Sequence, residues 1–129
     1  MKAESRARKW LDKKAKKGVR GYPVGTIAFY GPDSRRASKA AVGIVPAPEP
    51  GPAELRRWIV ESGDVRTDET VLTEIVLFLR EHQARSVAMT DALLGCPHEE
   101  GTDYPNGEAC PHCPYWAERD RWTGMLGPR

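Results

Sequence analysis

DETVLTEIVLFLREHQARSVAMTD, residues 68–91, decides the fold. In its first half Val71, Leu72, Ile75, Val76, Phe78 and Leu79 recur at helical spacing, with Thr67 or Asp68 placed to cap the amino end and Glu69 in the first turn. The spacing predicts the main core helix over residues 68–82. RSVAMTD, residues 85–91, follows after a tight turn and reads as a strand buried at Val87 and Met89. Helix, short turn and strand form the unit from which open α/β sheets are built, and ligands gather beyond the carboxyl ends of such strands. Asp91 stands at that end, although capping the next turn is an equally simple use for it.

Toward the amino end, VGTIAFY (24–30) and KAAVGIV (39–45) flank the polar octet GPDSRRAS and read as a β-hairpin with a long loop that carries Arg35 and Arg36. PAPEPGP (46–52) is a stiff extended connector. Pro52 suits the first turn of a short helix over 52–62, where Leu55, Trp58 and Ile59 share a face and Gly63 caps the end; Trp58 belongs to the core. The expected fold class is therefore α+β, or a small α/β: a β-hairpin, two helices and a third strand within residues 21–95.

All three cysteines and two of the three histidines lie in GCPHEEGTDYPNGEACPHCPYW, residues 95–116, which has no apolar periodicity. Cys96 and His98 form one arm and Cys110 and Cys113 the other, an arrangement that suits a structural Zn(II) held by thiolates at about 2.3 Å and imidazole at about 2.0 Å. His112 competes with His98 as the fourth ligand, but it would have to turn back toward a metal already held by both neighbouring cysteines. Residues 96–129 are thus expected to form a zinc-bound loop and a short helix over 113–122, packed on the same domain.

Two local motifs overlap this segment. His98, Glu99 and Glu100 followed by Cys110 and Cys113 spell HxE and CxxC, which resembles the signature of the zinc nucleoside and nucleobase deaminases. The resemblance implies a zinc-dependent hydrolase with Glu99 or Glu100 as the proton shuttle and Asp91 nearby. That family sets the two halves at the starts of separate helices; here nine residues separate Glu100 from Cys110, and Ala109 replaces the family's proline. CPHC, residues 110–113, is identical to the active-site tetrapeptide of bacterial periplasmic disulfide oxidases of the thioredoxin fold, which implies a reactive Cys110. The 16 residues after Cys113 cannot supply the rest of that fold. With Cys96 as a fourth donor the zinc has no position for water, and the expected protein has no catalytic residue.

The charge is divided along the chain. Residues 1–20 carry nine Lys or Arg against Glu4 and Asp12, whereas the chain as a whole is only +2. Ala, Lys and Arg are good helix formers and nothing breaks the run before Gly18, but with Trp10 and Leu11 almost its only large apolar residues, this segment reads as a basic flexible arm. Lys9, Lys13, Lys14, Lys16, Lys17 and Arg20, joined by Arg35 and Arg36, are the candidate phosphate contacts for RNA, DNA or the ribosome. No apolar run is long enough to span a membrane and no leader-like stretch follows the basic start, so the cytoplasm is the expected compartment, where reduced cysteines serve as metal ligands. The function expected is a small non-enzymatic, zinc-stabilised nucleic-acid accessory protein; the alternatives are the zinc hydrolase and a protein-interaction module.

Overall fold

The computed structural model describes residues 6–33, 35–48, 53–99, 101–107, 110–113 and 115. Its elements run α1 (Arg6–Lys16), β1 (Val24–Tyr30), β2 (Lys39–Val45), β3 (Glu54–Ile59), α2 (Glu69–Glu81) and β4 (Ser86–Leu93). The expected mixed α+β content is present. No helix among the described residues is long and apolar enough to cross a membrane.

The four strands lie in the order β3-β2-β1-β4. β1 and β2 form the anticipated hairpin, with Ile27 opposite Val42 and Phe29 opposite Ala40. β3 continues the antiparallel meander, and β4 joins the other side of β1 in parallel, with a register shift between Ile27 and Phe29. That parallel pairing requires a crossover, which α2 supplies. Asp68 Oδ1 caps the helix by accepting from Val71 N–H at 3.0 Å. Ile75, Leu72 and Leu79 are buried with Phe29, Val42 and Val87 in one core on the helical side of the sheet. Gly25 is needed there, because a Cβ at this position would run into Leu79 Cδ2.

Two expectations are overturned. The segment assigned to a helix over 52–62 contains β3 instead. Helical phase would group Leu55, Trp58 and Ile59, but the alternation of a strand separates them: Trp58 opposes Ala40 and is buried, whereas Leu55 and Ile59 lie on the opposite face. Pairing along the whole of β2 outweighs the weak local preference. Residues 6–16 of the expected free arm form α1, because Ala7 and the fully buried Leu11 join the core, with Trp10 and Ala15 packed against it. Ser86 fastens the linker that follows: its Oγ accepts from the N–H groups of Arg20 (2.8 Å) and Gly21 (3.1 Å) and donates to Gly21 C=O (2.8 Å). The helix expected over 113–122 falls outside the described residues apart from Cys113 and Tyr115.

Candidate metal centre

The helix-free face of the sheet carries small residues in its middle, Ala28 and Ala41 paired across β1 and β2, with Arg57 of β3 paired to Ala41 and Lys39 two residues before it on β2. The cysteine-rich segment crosses this face. It starts where β4 ends, and its start is fixed to β1 by Leu94 N–H on Phe29 C=O and Gly31 N–H on Gly95 C=O, both at 2.9 Å. Cys96 is therefore positioned by the sheet itself.

Lys39 holds the next turn. Although it is the lone charged residue in KAAVGIV, it is only 4% exposed, and its Nζ donates to Pro97 C=O and to Glu99 Oε2, each at 2.9 Å. Arg57 of β3 adds a two-pronged contact, with Nε to Oε2 at 2.6 Å and a terminal nitrogen to Oε1 at 3.0 Å. The hydrogen bonds and charge of Lys39 and Arg57 hold the Glu99 carboxyl below its ordinary range despite some desolvation. Glu99 is thus a fastening for the loop, occupied on both oxygens. Lys39 belongs to this fastening.

Beyond Glu99 the chain turns sharply. Asp103 Oδ2 accepts from Glu99 N–H at 2.7 Å, Asp103 N–H returns to Glu99 C=O at 2.7 Å, and Gly101 N–H reaches Tyr104 C=O at 2.7 Å. Gly101, at φ +84°, takes a left-handed conformation that glycine adopts without steric cost. The reversal brings Cys110 and Cys113 back to the first arm.

Cys96, His98, Cys110 and Cys113 converge so that their donor atoms all lie within 4.8 Å of one another, a cluster that could hold a metal ion. His98 Nδ1 is 3.2 Å from Cys96 Sγ, 3.4 Å from Cys110 Sγ and 3.6 Å from Cys113 Sγ. The three thiols form no disulfide, and Cys110 and Cys113 are buried. Burial pushes the Cys96 and Cys113 thiols up, and the neighbouring thiols push Cys96 further. These two thiols hold their protons more tightly than an ordinary cysteine unless a cation takes their place. His112 is exposed, with its ring 5.2 Å from that of His98, and stands outside the cluster.

The other sequence candidates are dispersed. Asp91 lies inside β4, which runs on to Leu93, and Glu100 is outside the described residues. A cavity of about 300 Å³ opens between sheet and loop, lined by Tyr30, Lys39, Ala41 and Leu55 on one side and by Cys96, His98 and Tyr104 on the other. Its carboxylate, Glu99, is the one already bound by Lys39 and Arg57.

The basic candidates divide in two. Lys9, Lys13, Lys16 and Lys17 are exposed on the side of α1 opposite Leu11, while Lys14 is half-buried with Nζ 5.3 Å from the Trp10 ring centre. Arg20 is exposed, and its Nε donates to Lys17 C=O at 3.3 Å. Arg35 is exposed, but the guanidinium of Arg36 is spent on the carbonyls of Gly63 and Val60 and ties the hairpin loop to the turn after β3. Sequence reasoning missed Arg57 as an anchor, and the loop junction at Asp64. The signal for Lys39 was its place on the non-core phase of a strand otherwise built of small and apolar residues.

No protein-family model, curated protein or solved structure matches this chain.

Proposed function

We propose that this chain is a non-enzymatic, zinc-stabilised accessory protein that contacts nucleic acid, RNA or the ribosome included, through the basic face of α1. The observation that carries the reading is the docking of that helix. Leu11 and Ala7 fix its rotation, so Arg6, Lys9, Lys13, Lys16 and Lys17 are presented together on the exposed side. A ridge of fixed cations neutralises successive phosphates and releases their counterions without first ordering a free arm.

The metal is assigned as Zn(II) from its donors, three thiolates and one imidazole. A tetrahedral zinc with ordinary bond lengths places sulfur and nitrogen about 3.5 Å apart, and the separations here are 3.2–3.6 Å. Four protein ligands leave no position for water, and the tethered Glu99 is a poor base; both points favour a structural over a hydrolytic role. What the ion would supply is the cross-link that a loop rich in Gly, Pro and Asp lacks.

Charge reversal tests the reading better than removal of residues 1–20, which would also strip Leu11 from the core. The triple variant Lys13→Glu, Lys16→Glu, Lys17→Glu is expected to lose most binding to mixed RNA and duplex DNA. Its salt dependence should flatten by about one unit of slope per lost phosphate contact. Binding and slope equal to those of the unaltered protein in filter-binding titrations would overturn the proposal.

A further inference from the structure

β3 stands at the edge of the sheet, and among the described residues it pairs only with β2. The direction of its free hydrogen-bonding groups follows from the register. Val60 N–H donates to Ser38 C=O at 2.9 Å, which continues the pairing of Ile59 with Lys39. In an antiparallel pair alternate residues turn both backbone groups toward the neighbour. Arg56 and Trp58 therefore bond to β2, and Leu55, Arg57 and Ile59 turn their N–H and C=O groups outward.

The apolar surface gathers at the same edge. Leu55 is 51% and Ile59 is 70% exposed, both on the helix-free face. These are two of the five large apolar side chains exposed among the described residues. Such an edge invites pairing: proline and bulges are missing from ELRRWI, and its two arginines are each paired within the chain, Arg56 with Glu74 and Arg57 with Glu99.

We propose that β3 pairs antiparallel with β3 of a second copy of this chain, about a twofold axis perpendicular to the sheet and midway between Arg57 and its counterpart. This proposal does not depend on the nucleic-acid reading. The register is selected by the strand itself. With Arg57 opposite its counterpart, Leu55 faces Ile59 of the second copy at both ends, and every outward N–H and C=O of these three residues finds a partner. A slip of one residue would set helix-side against helix-free side chains, and a slip of two would leave outward groups unpaired. Two arginines meet at the axis, but each is already neutralised by its own Glu99. On the helical side Arg56, whose guanidinium lies 5.0 Å from the Trp58 ring centre, faces Trp58 of the second copy.

A second copy brings its Ile59 to Leu55 and its Leu55 to Ile59 in one register, a complement that a foreign peptide strand does not carry by its own sequence. A twofold axis perpendicular to the sheet also puts both helical layers on one side. Leu55 and Arg57 also border the cavity beside the metal centre, so the second copy would form a wall near that opening.

Sedimentation equilibrium on the full, metal-loaded chain tests this. The expected result is the mass of two chains at micromolar concentration. Leu55→Lys with Ile59→Lys should give the mass of one chain, with circular dichroism and metal content unchanged. Ile59→Lys alone leaves Leu55 in place and should raise the dissociation constant at least tenfold; it decides the matter if the double variant misfolds. A wild-type chain that stays monomeric to about 100 µM, or a dimer indifferent to these substitutions, overturns the proposal. So does a monomer carrying a foreign peptide on β3.

Discussion

Asp64 shows how much one carboxylate can join. Its oxygens accept from Ala37 N–H (3.0 Å), from Arg66 N–H (2.8 Å) and from the Arg66 guanidinium (2.9 and 2.7 Å), linking the hairpin loop to the turn before α2. Burial works against the charge, but these donors outweigh it and hold Asp64 down at about 2. A carboxylate lowered in this way stabilises the fold above its unfolded value near 4, and that contribution disappears as pH falls from about 4 to about 2. Asp64→Asn should therefore cost on the order of 2 kcal/mol at neutral pH, and the gap in urea midpoints between the two proteins should close across that window. A gap that stays constant with pH would show that the charge is not what matters. Nothing in GDVRT marks Asp64 as a junction, because its partners Ala37 and the hairpin loop are remote in sequence. The four metal-ligand candidates were legible, since their side-chain chemistry and the CxxC spacing are local properties.

At the scale of elements, α2 was readable because its apolar residues repeat at helical spacing from Val71 to Leu79 and Asp68 supplies a cap that needs no tertiary help. β3 was misread because six residues carry too little periodicity to distinguish a strand from a helix, and only β2 decides between them. α1 was taken for a free arm for a related reason: a mostly cationic sequence shows a weak apolar stripe, yet Ala7 and Leu11 in the core, with Trp10 and Ala15 against it, dock the helix. Leu11→Ala should accordingly cost about 2–5 kcal/mol, the range for a truncated core leucine, and release the helix. A melting temperature within a degree of the original, with α1 amides still protected from hydrogen exchange, would contradict that role.

For the molecule as a whole, the cysteine segment acts as a strap across the helix-free face, fastened at β1 by Leu94 and Gly95, at β2 by Lys39 and at β3 by Arg57. Elemental analysis should find one zinc per chain, and Cys110→Ser should lose it. On chelation, hydrogen exchange should rise in residues 96–107 while α2 and β1 stay protected, because their core lies on the other side of the sheet. Full loss of protection throughout would mean that the ion holds the core as well. The strand order also has a temporal side. β1, β2 and β3 leave the ribosome as neighbours, but the flank of β1 that β4 fills remains open until α2 has been made and has crossed the sheet. Cys110 and Cys113 follow β4 in the chain. The four candidate metal ligands are thus all present only late in synthesis, and the nascent protein must pass through a stage with a waiting sheet edge and unpaired thiols.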